Sequence, residues 1–62
     1  MSNNMLTTKE VTLLADLLTY EENACKKARV YAKSMMYKDW ACKMEEIAQN
    51  HQKRFNALLR LL

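Results

Sequence analysis

The feature that most constrains this chain is a loss of phase. From Val11 a step of three and four residues runs through Leu14, Leu18, Glu21, Cys25, Ala28, Ala32 and Met35, and seven of these eight positions are apolar. Such a stripe is the buried side of an amphipathic helix. Continued in the same frame, it would next collect Asp39, Cys42, Glu46, Gln49, Lys53, Asn56 and Arg60, six of which are polar or charged. A second stripe starts instead at Trp40 and runs through Met44, Ile47, His51, Arg54, Leu58 and Leu61, with Ala41, Ala48, Phe55 and Leu62 one place further round. The two stripes cannot belong to one straight helix, so the chain must break between Ser34 and Asp39.

The expected architecture is therefore all-α, an antiparallel two-helix hairpin. Its first helix covers about 8–35, the turn about 36–38 and the second helix about 39–61. Thr7 followed by Glu10 has the form of a capping box, with Leu6 against Val11 or Leu14 beside it, and Asp39 is the expected cap of the second helix. Residues from Met1 to Leu6 have nothing to hold them and are expected to fray. The chain has no Gly and no Pro, a composition that favours helix throughout and gives the break no enforcer. One continuous helix that exchanges its second half with a partner chain is the alternative.

Size limits what such a hairpin can do alone. Sixty-two residues make one domain that buries only about 60% of its unfolded surface, and a lone helix pair leaves half of each stripe wet. Self-association is expected, most simply a two-fold homodimer that closes as a four-helix bundle. Ten Lys and Arg against seven Asp and Glu give a net charge of +3. Several of these pair at helical spacing, such as Glu22 with Lys26 and Asp39 with Lys43. No one-sided basic patch is singled out, so no nucleic-acid partner is expected. No apolar run approaches the roughly 20 residues of a membrane span, and no signal peptide is evident, so no membrane insertion and a soluble, cytoplasmic protein are expected. Cys25 and Cys42 fit no zinc or redox spacing and are read as reduced, small apolar residues.

The polar intruders carry the functional question. Glu21 lies sixteen residues before Tyr37, while His51 and Arg54 lie fourteen and seventeen after it. A hairpin turning there brings all three to one level. A buried carboxylate is costly unless paired, so Glu21 is expected to take Arg54 as a fork of donors, with His51 beside it. Tyr20 is placed to donate its hydroxyl to this layer or to pack at its rim. Glu and His inside a helical bundle also suit a metal, iron or manganese in a dinuclear carboxylate site, or a single zinc on Glu21 and His51. A cation at Arg54 works against it, and Glu45 and Glu46 lie off the stripe. With no metal, no cofactor is expected. His51 with Glu21 has the makings of a base and its orienting acid, but no nucleophile lies in register, so no catalytic residue is assigned.

The residues Leu17-Leu18-Thr19-Tyr20-Glu21, Ala28, Tyr31-Ala32, Lys38-Asp39, Ile47-Ala48-Gln49 and Phe55-Asn56-Ala57-Leu58-Leu59 together resemble the small ferritin-like proteins of the spore coat protein F family. The similarity runs from Leu13 to Leu62, and much of its pattern is amphipathic helix. The family carries a Tyr-Glu in one helix and Glu-x-x-His ahead of Phe-Asn in the next. Glu21 matches the first Glu, whereas His51 and Arg54 stand where the family has its second Glu and its His. The resemblance implies a ferritin-like hairpin assembling into a four-helix bundle. Two of the three metal positions are changed, which argues against iron chemistry. It also implies a non-catalytic structural or assembly role in a spore coat, with other coat proteins as partners. A metal-binding protein with a redox or storage role, on iron or zinc, is the competing expectation.

Overall fold

Thr7 caps the first helix as the sequence pattern predicts. Its hydroxyl accepts from the Glu10 backbone N–H at 3.1 Å, and the Glu10 carboxylate accepts from the Thr7 N–H at 2.9 Å. The reciprocal pair satisfies two of the donors that a helix start leaves free. From there α1 (Thr8–Ser34) runs unbroken to the turn. This is a computed structural model, and it describes residues 5–62. The expectation for residues 1–4 lies outside the described residues.

The break needs no glycine. Met35 (φ −85°, ψ 135°) and Tyr37 (φ −87°, ψ 122°) are both extended, and no described residue has a positive φ. Two extended residues flanking Met36 suffice to reverse the chain. The second helix, α2 (Lys38–Leu59), then packs back along α1. A hairpin, and not one continuous helix, forms within the chain, and no strand occurs among the described residues. The ends differ slightly from expectation. α2 begins at Lys38 behind Tyr37, which makes no side-chain cap, so Asp39 lies in the first turn and is not the cap. Its C-terminus closes at Leu59 in tight turns, with the Leu61 N–H on the Leu58 carbonyl at 3.0 Å and the Leu62 N–H on the Leu59 carbonyl at 3.1 Å.

Small side chains set the seam between the helices. Leu14, Glu21, Cys25 and Ala28 are buried on α1, and Ala48 on α2 is wholly closed off. Cys25, Ala28 and Ala48 form the packed cluster, and their size lets the backbones approach closely. No large side chain among the described residues is fully buried.

α2 is rotated relative to the sequence expectation. The positions placed one step round, Ala41, Ala48 and Phe55, turn inward, whereas Trp40, Ile47, Arg54 and Leu61 of the expected stripe stay exposed. The reason is width. The apolar arc of α2 spans more than one neighbouring helix can cover, and α1 takes the side with the small residues.

What remains is a thin, elongated body, 47 × 18 × 9 Å with a radius of gyration of 14.5 Å. A compact chain of this length would have a radius of about 10.6 Å. The accessible surface is 5135 Å², whereas the scaling for folded monomers gives about 4,200 Å² at this mass.

Candidate functional site

Glu21 sits at the middle of α1 and faces α2 with its side chain only 9% exposed. Each of its oxygens has a separate nitrogen. Oε1 meets Nδ1 of His51 at 2.5 Å, and Oε2 accepts from Nε of Arg54 at 3.2 Å. The structure thus brings all three sequence-predicted residues together, but with different roles. The expected fork of Arg54 on the carboxylate is replaced by a single bond. His51, 14% exposed in its side chain, is the inner partner, and Arg54, 55% exposed, closes the layer from outside.

Nδ1 of His51 has two neighbours that ask opposite roles of it. Arg54 Nη2 also lies 3.0 Å from Nδ1, and a guanidinium can only donate. Nδ1 cannot donate to Glu21 and accept from Arg54 at once. The His51 contact, first, and Arg54 hold the Glu21 carboxyl below its ordinary value of 4.5, against burial, which pushes it up. The short contact suits Nδ1–H donating to an ionised Glu21, in which case Arg54 acts on the pair through Nε and its Nη2 is a close approach to Nδ1 and not a hydrogen bond. Among the described residues no buried side-chain N or O atom lacks a partner.

Tyr20 packs at the rim. Its ring lies edge-on to His51, with centroids 6.2 Å apart at 79°, and it remains 61% exposed. Gln52 was missed by sequence reasoning, which followed the stripe and stepped over it. The rotation of α2 turns it toward α1, where its Oε1 lies 3.9 Å from the Cys25 sulfur while its Nε2 donates to Asn56 Oδ1 at 3.1 Å. Cys25 is buried and Cys42 exposed, and both are free thiols. Glu45, placed off the stripe, reaches across the seam to Arg29 at 3.5 Å. Glu22 pairs with Lys26 at 3.3 Å as expected, whereas Lys43 pairs with Glu46 at 3.9 Å and not with Asp39.

The donor set does not fit iron or zinc. Both Glu21 oxygens are engaged by nitrogens, and a guanidinium stands against the imidazole. No group of three or more His, Cys, Asp and Glu side chains gathers among the described residues. Within one chain an ion here would find two protein ligands beside a fixed positive charge, short of the four that zinc takes and of the carboxylates that a dinuclear site uses. The layer resembles a structural ion-pair cluster, the kind that fixes which surfaces meet.

No family model matches the chain, and no curated protein or solved structure is detectably similar to it.

Proposed function

We propose that this protein is a non-catalytic assembly unit that pairs with a second copy of itself. The observation that carries the reading is the uncovered apolar edge beside the polar layer. At 100° per residue, Leu13, Leu17, Tyr20 and Tyr31 of α1 fall on one side of the seam, and the antiparallel path of α2 puts Trp40, Ile47 and Leu58 on that same side. All but Leu58 are substantially exposed, and the contact of Tyr20 with His51 ties the two rows together. The excess surface of roughly 1,000 Å² over a folded monomer is of the order that one partner buries in a stable dimer, about 800 Å².

Two hairpins joined along this edge make a homodimeric four-helix bundle, with Glu21, His51 and Arg54 near its middle. The layer pairs its charges within each hairpin, so it sets how the two helices of one chain align more than it adds stability. The resemblance to the spore coat protein F family supports a structural role of the coat-assembly kind, with other coat proteins as further partners and the cytoplasm or the spore coat as its place.

Sedimentation equilibrium of the full chain tests the reading. A mass of twice the 7.3 kDa chain, reduced to one chain by Ile47→Glu, is expected. A single-chain mass at every concentration overturns it. So does stoichiometric iron or zinc in protein purified without chelator, because the layer would then be a metal centre.

A further inference from the structure

We propose that the turn of the hairpin is a docking tip for an anionic lipid surface. Met35, Met36 and Tyr37 build the turn, and Trp40 follows in the first turn of α2. Met36 is 90% exposed, Tyr37 68% and Trp40 64%. The Tyr37 and Trp40 rings stand 5.9 Å apart at 56°, so the two form one projecting aromatic group.

Local folding does not explain these residues. Tyr37 holds the N-cap position of α2 without making a cap, where Ser, Thr, Asp or Asn would bind a free backbone N–H. Met35 is half-buried, but Met36 and Tyr37 set large exposed side chains at a turn with neither cap nor glycine, and such departures from local rules belong to functional sites.

The charges around the tip name the partner. Lys33 lies in the last turn of α1, Lys38 opens α2 and Lys43 follows, with Asp39 as the acid among them. Lys43 is shared with Glu46. Indole and phenol rings settle at headgroup depth, an unbranched Met side chain enters below them, and lysines meet anionic headgroups while their stems lie on apolar surface. Among the described residues no helix is long and apolar enough to cross a membrane, so the contact is with the surface. Met36 and Tyr37 lie past the ends of both helices, off the edge assigned to a second copy; Trp40 borders that edge, so the inference rests on co-sedimentation and on the Met36 and Tyr37 variants, with the Trp40 emission read beside them.

The test uses the full chain with vesicles of phosphatidylcholine alone and of phosphatidylcholine mixed with phosphatidylglycerol, at one protein concentration. Trp40 is the only tryptophan and reports its own surroundings. Co-sedimentation and a blue shift of its emission with the anionic vesicles are expected, both weakened by salt. Lys38→Gln should lower the partition about fivefold. Met36→Ser with Tyr37→Ser should abolish binding, while Tyr37→Ser alone raises Tm through the new cap, a pairing that a purely structural turn would not give. Absence of binding to anionic vesicles, equal binding to neutral ones, or unchanged binding by the double variant would each overturn the proposal.

Discussion

The two edges of the seam are built from the same helices and differ in everything else. On one edge Glu22 with Lys26 and Arg29 with Glu45 form exposed ion pairs at 3.3 and 3.5 Å. Such pairs contribute about 0.2–1 kcal/mol each and suit a surface that stays in water. On the other edge Leu17, Tyr20, Tyr31 and Ile47 stand exposed with no partner of their own kind to cover them all. Glu21, His51 and Arg54 lie between, facing the seam and open toward the apolar edge only through Arg54. A hairpin meant to live alone would have no reason to treat its edges so differently. On the proposed reading the charged edge ends the structure and the apolar one meets a second copy.

Charge placed on each edge should break the comparison most sharply. Ile47→Glu is expected to weaken self-association by at least a hundredfold, since burying an unpaired carboxylate at an apolar interface costs several kcal/mol. Glu45→Gln on the opposite edge should change the dimer constant by less than twofold in the same sedimentation experiment.

Next comes the layer. His51→Leu removes the inner partner and leaves Glu21 with one exposed nitrogen, and a loss of about 2–3 kcal/mol in urea denaturation is expected, most of it recovered by Glu21→Leu in the same chain. Arg54→Met should cost less, about 1 kcal/mol, because its side chain is more than half exposed and His51 stays. Equal costs for His51 and Arg54 would mean that the two are not ranked by depth.

The smallest effect is the pH dependence of Glu21. Its carboxyl is held below 4.5 in the folded state, so between the folded and unfolded values the unfolded chain binds more protons. Its contribution is therefore fully present above that ordinary value and is lost as pH falls through the lowered one. A pH series of melting curves should show a loss on acidification that is shallower in Glu21→Gln.

Much of this was legible in the sequence because period and breaks are local. The out-of-phase stripes located the turn, and the similar distances of Glu21, His51 and Arg54 from Tyr37 placed the three side chains at about one level. Rotation was not legible. An apolar arc as wide as that of α2 fits a neighbour in more than one orientation, and only the packing of Ala48 and Cys25 selects the one that turns Gln52 inward and Ile47 outward. The cap was misplaced for a related reason. Asp39 is the better capping residue, yet the extended backbone at Tyr37 puts the cap two residues earlier and spends that position on an exposed ring.

The most direct test is the thermal midpoint of the unmodified chain across a hundredfold range of concentration. If a second copy covers the apolar edge, folding and association are linked, and the midpoint rises steadily with concentration. A sharp, cooperative transition at one temperature throughout would show a hairpin that needs no partner and would contradict the account.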